Sequence, residues 1–148
     1  MDGCKFILII SGIALFLACV FTVLRNEAKE EQEITVGGKK IQVEVARTAK
    51  AQYLGLSNRE ELCGDCGMLF VYPDQKVRFF VMRDMNFPLD IVWISGNKIV
   101  KIDREALPEG KNPTSAYQSR SAVDLVLEVN GGFCDANNIG EGDEVLFW

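Results

Sequence analysis

One long apolar run opens the chain, and the rest is broken into short alternating stretches. Phe6 to Leu24 (FILIISGIALFLACVFTVL) holds nineteen residues without a charge, bracketed by Lys5 and Arg25. As a helix it would span roughly 28 Å, close to the ~30 Å of bilayer hydrocarbon. A cleavable signal favours a shorter run and a small-x-small site, and no such site follows this one. The lipoprotein alternative would use Cys19, but Leu17 is bulky and Val20 to Leu24 stay apolar. Residues 1–25 are therefore expected to be a membrane anchor or signal segment, 26–33 (NEAKEEQE) a polar tether, and 34–148 a β-rich domain. Basic residues nearly balance across the run. Its N-terminal position, ahead of the whole domain, then places the domain on the extracytoplasmic side.

Beyond the tether the period changes to two. Ile34-Thr-Val36 and Ile41-Gln-Val43-Glu-Val45 alternate around Gly37-Gly38, which predicts a hairpin with one wet face. Thr48 is placed to cap a short helix from Ala49 to Leu54, with Gly55 as its stop. Met68–Tyr72 and Val77–Met82 read as strands joined by a turn at Pro73-Asp74. Leu89–Ile94 is apolar on both faces and is expected as a central strand. Gly96-Asn97 then turns the chain into a strand from Lys98 to Ile102. Leu107 to Ser119, with Pro108, Gly110 and Pro113, reads as a long ordered loop, and Ala122–Val129 and Val145–Trp148 close the set. About eight short strands without a βαβ rhythm predict a mainly β domain, a sandwich or barrel with one or two short helices.

Composition narrows the chemistry. The chain contains no histidine, which removes imidazole bases, imidazole metal ligands and the catalytic arrangements built on them. Beyond Arg25 there are 14 basic and 20 acidic residues, a balance that disfavours nucleic acid as a partner. No cofactor is implied by any motif.

Five polar residues and three cysteines remain as candidates. Asp90 interrupts an apolar strand and Glu128 interrupts Leu125–Val129, so each needs a partner or a task. Two carboxylates facing one cleft would suit acid–base hydrolysis, whereas an ion pair or loop-fastening hydrogen bonds would be structural. Arg83 is a nearby cation for Asp90, and Tyr117 and Ser119 stand at the end of the long loop, where they would line a polar pocket or a solvated edge. Cys63-Gly-Asp-Cys66 admits a redox dithiol, half of a metal site or a structural disulfide, with Cys134 as a third thiol. Met68, Met82 and Met85 read as core filling ahead of soft-metal ligands.

GMLFVY (67–72), FFVMRDMNFPLDIVWI (79–94) and LVLEVNGG (125–132) together resemble domain-of-unknown-function family 192, a group of small, often exported proteins. Gly55-Leu56 with Arg59, Pro108, Tyr117-Gln-Ser119 and Gly142-Asp143 fit the same pattern. The resemblance implies a sandwich-like β fold and no established reaction. It singles out Arg83, Asp90, Tyr117, Ser119 and Glu128 as the candidate polar site. Val81 stands where the family usually has tryptophan and Asp84 where asparagine is common, and the CxxC is not a general family feature. The expectation is thus a membrane-tethered binding or envelope-accessory module with an unknown small-molecule or envelope ligand. A hydrolase using Asp90 and Glu128, or a thiol or metal site at Cys63 and Cys66, are the alternatives.

Overall fold

The computed structural model describes residues 30–147. The apolar run at 6–24, and the anchor expected there, lie outside these residues. Among the described residues no helix is long and apolar enough to cross a membrane.

The first strand, β1 (Glu30–Val36), starts inside the stretch expected as tether. Its polar half is held in register against β2 (Lys39–Ala46), Glu30 opposite Val45 and Glu33 opposite Gln42. Exposed ion pairs, Arg47 with Glu30 and Lys40 with Glu33, add to that ladder, so a charged strand forms where composition suggested a solvated linker. Gly37 and Gly38 turn the hairpin with φ of 54° and 85°, a conformation that glycine adopts without strain. Helix α1 (Ala49–Leu54) follows, with Thr48 Oγ1 accepting from the Ala51 N–H at 3.1 Å and Gly55 ending it at φ 52°.

After α1 the chain crosses over and enters β3 (Cys66–Lys76) parallel to β2. This is a βαβ unit that the strand rhythm did not predict. Residues 47–65 supply the dozen or more residues a parallel connection needs. A second departure concerns Pro73-Asp74, expected as a turn. Strand β3 runs straight through it, because β2 pairs only as far as Phe70 and the ladder to β8 (Val123–Asn130) slips between Val71 and Lys76. Proline's missing N–H falls in that bulge, where no ladder bond is lost. Only Phe79–Phe80 of the expected 77–82 strand is extended. As β4 it pairs with β7 (Tyr117–Gln118) in a separate two-stranded sheet.

The remaining strands, β5 (Leu89–Ser95), β6 (Lys98–Ala106), β8 (Val123–Asn130) and β9 (Val145–Phe147), complete a seven-stranded sheet of order β6-β5-β8-β3-β2-β1-β9. Its ends meet. The Ile99 N–H donates to Asp143 O at 3.0 Å, that of Gly142 to Ile99 O at 2.8 Å and that of Val145 to Asn97 O at 2.8 Å, curling the sheet into a half-barrel. The concave side packs Ile34, Ile41, Val43, Leu69, Val92, Leu127 and Val145 around Phe133 and Cys134 of α2 (Phe133–Ala136). The convex side packs Met68, Phe70, Ile91, Trp93 and Val126 under Leu56, Met82 and Met85 from the crossover and the β4 segment. The three methionines are core residues.

Strand alternation then sorts the two carboxylates. Asp90 is opposite Val129 and Glu128 opposite Ile91, so Asp90 points to the concave side and Glu128 to the convex one. Asp90 is fully buried, and its carboxylate accepts from the Glu105 N–H (2.9 Å), the Gly132 N–H (3.1 Å) and the Cys134 N–H (2.9 Å). It ties the end of β6 and the first turn of α2 to the central strand. Asp90→Asn keeps the size but replaces one acceptor oxygen with a donor facing an N–H. It should lower stability by about 3 kcal/mol, read from the shift of the urea midpoint; a change within error would show that Asp90 does not hold this corner.

Candidate functional site

On the convex side, α1 and the residues after it do not close over the sheet completely. They leave a cleft of roughly 190 Å³. Tyr53, Leu54, Phe79 and Val81 form an exposed apolar rim, and Phe70, Phe80, Met85 and Glu128 lie deeper. The wall from α1 is stitched to the segment after β4: Ser57 Oγ donates to Arg83 O at 2.9 Å and the Asn58 N–H to Asp84 O at 2.7 Å. Asn58 and Asp84 both adopt positive φ (62° and 53°), a region that Asn and Asp tolerate better than other non-glycine residues. Gly55 matters twice here. Besides its positive φ, a Cβ at this position would meet Phe70 Cζ at 3.5 Å and Glu128 Oε2 at 4.0 Å, within the cleft. Gly67 holds β8 close, since a Cβ there would lie 2.8 Å from Glu128 O.

Glu128 is 5% exposed, and no described residue donates a hydrogen bond to its carboxyl or forms a contact ion pair with it. Arg59, whose charge it feels, is committed elsewhere, with Nη1 and Nη2 on the two oxygens of Glu44 at 2.5 and 2.7 Å. Burial pushes the Glu128 carboxyl up to about 8, and the Arg59 charge opposes this only in part. The hydrogen bonds to Glu44 hold the Arg59 guanidinium above its ordinary value. Burial at the cleft floor thus favours the uncharged form of this carboxyl.

Of the candidates named from sequence, Glu128 and Arg83 line this cleft together. Arg83 stacks over the Tyr53 ring at 4.2 Å and donates to Tyr53 O at 2.9 Å. Asp90 lies on the other side of the sheet, so the acid–base pair proposed with Glu128 does not share a cleft. Ser119 is buried, accepting from the Arg78 N–H at 3.0 Å and donating to Ser121 O at 2.6 Å. Tyr117 pairs with Phe80 across β4 and β7. These two fasten the Phe79–Phe80 segment, and neither is among the residues lining this cleft. Cys63 and Cys66 are joined as a disulfide, and the Cys134 thiol is buried. Burial first, and the Asp90 charge second, push that thiol up to about 12 and leave it unreactive. No cluster of three potential ligands suited to a metal occurs among the described residues. The aromatic rim went unread in the sequence. Phe79 and Tyr53 carry no local mark of a shared site, which depends on the crossover bringing α1 over β8.

A glutamate whose folded-state value lies near 8, against 4.5 unfolded, makes stability pH-dependent. Between those values the folded chain holds a proton that the unfolded chain has lost, so stability falls as pH rises through the window and levels off above it. Glu128→Gln should abolish most of this slope, a difference of several kcal/mol across the window, seen in melting curves from pH 4.5 to 9. Parallel wild-type and variant profiles would mean that Glu128 is ionised in the fold.

The fold has solved counterparts. A protein from Sinorhizobium meliloti 1021, proposed to be a transcription regulator, aligns at 26% identity and TM-score 0.73, covering 79% of this chain and 93% of that one. A protein of unknown function from Novosphingobium aromaticivorans DSM 12444 aligns at 29% identity and TM-score 0.68, covering 79% and 84%. No curated protein matches the chain. The model of DUF192, described as an uncharacterized ACR, matches residues 32–147, and with nearly all of the described domain inside that match, the chain belongs to the DUF192 family.

Proposed function

We propose that this domain is a ligand-binding module, tethered to a membrane through residues 6–24 on the extracytoplasmic side, whose cleft between α1 and β4 takes a small molecule. The observation that carries the reading is the aromatic-rimmed cleft with, at its base, a carboxyl to which no described residue donates a hydrogen bond. Ligand sites are commonly concave, mostly apolar and furnished with a few orienting polar groups. The nineteen-residue apolar run supports the tether. The Cys63–Cys66 disulfide supports an oxidising compartment, where such bonds persist.

A hydrolase built on Asp90 and Glu128 is not carried forward, since the two carboxyls face opposite sides of the sheet. Nor is a metal centre at Cys63 and Cys66, whose sulfurs are bonded to each other and so are not thiolate ligands. A transcription-regulator role, taken from the Sinorhizobium protein, meets the acidic balance of the chain, which suits a phosphate backbone poorly.

Fragment screening of the full-length protein by NMR should give hits that contact the cleft. Tyr53→Ala with Phe79→Ala removes two exposed rings without touching the core. Affinity for those hits should fall about tenfold or more. Hits that bind the double variant undiminished would place the ligand site elsewhere. Labelling the denatured protein with and without prior reduction should differ by two thiols; equal counts would remove the support for an oxidising compartment.

A further inference from the structure

The polar atoms of the cleft are unevenly used. Gln52 Nε2 donates to Ala46 O and Val71 O, at 3.2 and 2.9 Å, and Ser57 Oγ donates to Arg83 O, so these side-chain donors are spent within the fold. Among the described residues none donates a hydrogen bond to the Glu128 carboxyl oxygens. Around them stand ring faces, which carry negative potential. Two of those rings already hold guanidinium groups of this chain, Arg83 on Tyr53 at 4.2 Å and Arg78 on Tyr72 at 3.9 Å. Beside the donors that Arg83, Tyr53 and Tyr72 bring to its lining, the cleft therefore offers the Glu128 carboxyl and π surface as acceptors.

We infer that the cleft is a receptor for an organic cation, a guanidinium or ammonium on a short apolar stem, which would place its charged N–H groups on the Glu128 carboxylate and its stem between the aromatic walls. This rests on the binding-module reading and specifies its ligand class. Entry of the cation moves one proton from Glu128 to solvent, after which ammonium or guanidinium and carboxylate form a charge-assisted pair in a poorly hydrated site. The charged groups around Glu128 set the limits of this exchange. Arg59 stays on Glu44, Tyr72 is half-buried with Arg78 over its ring, and Arg83 is the cation among the cleft-lining residues.

The test titrates n-butylguanidinium, with n-butanol and butyrate as neutral and anionic counterparts, into full-length protein in a neutral detergent, followed by NMR shifts of cleft residues. The cation should bind best and tighten by tens of fold from pH 6 to 9, because it competes with the Glu128 proton. Glu128→Gln should lose both the preference and the pH dependence, and Arg83→Gln should strengthen binding. Butyrate binding more tightly than the cation, or weaker cation binding after Arg83→Gln, would overturn the inference in favour of an anion. Equal binding of all three would overturn it while leaving a purely apolar binding cleft. No binding by any of them at tens of millimolar would overturn this inference and the binding-module reading together.

Discussion

The β5–β8 ladder pairs Asp90 with Val129 and Ile91 with Glu128, so two carboxylates on neighbouring strands are one step out of phase. Because side chains alternate strictly between faces, that single step sends one carboxylate to the inside of the half-barrel and the other to its outer surface. Everything else in the structure follows this division. On the concave side three backbone N–H groups converge on Asp90, and the charge is fully used in fastening β6 and α2 to the central strand. On the convex side no N–H reaches Glu128, and the covering layer of α1 and the crossover stops short of it. Both residues are buried, but among the described residues only Asp90 receives hydrogen bonds.

That contrast separates structural from functional burial. A carboxylate with several N–H donors repays its loss of water and stabilises the fold. A carboxyl without partners is destabilising relative to an apolar residue of similar size, and the fold here does nothing to relieve it. Arg59 is near enough for its charge to act on Glu128, yet its two-pronged bond goes to Glu44. The Glu44 pair holds the crossover against β2 and at the same time keeps the Arg59 guanidinium off Glu128. Removing that pair would free Arg59 to turn to Glu128 and fill the site from within.

How much of this was legible in the sequence differs by element. The first hairpin, the capped helix, the Gly-Asn turn and the central strand are local devices, and each stands where its residues indicate: Thr48 at its cap, Gly37-Gly38 and Gly96-Asn97 in their turns. The parallel β2–β3 pair, the passage of β3 through Pro73 and the β4–β7 ribbon depend on which strands become neighbours, and no local pattern carries that information. The same holds for the site. Asp90 and Glu128 stood out as charges in apolar strands, but the phase that separates them exists only in the paired register. Phe79 and Tyr53 looked like ordinary aromatics, because the cleft they rim is made by a crossover linking residues more than seventy positions apart, from Gln52 to Glu128.

The positions that resemblance singled out therefore divide by mechanism and not by importance. Arg83 and Glu128 face the cleft; Tyr117 and Ser119 hold up its aromatic wall through β7; Asp90 anchors the opposite side of the strand on which that wall rests. A change at Ser119 would release the Arg78 N–H and loosen β4, and so reach the cleft without touching a ligand. A change at Asp90 would act through the whole sheet and would be read as lost stability before lost binding. At Glu128 binding and folding meet in one protonation equilibrium. There the carboxyl's ionised form is costly in the empty fold, and it is the form that a cation in the cleft would favour.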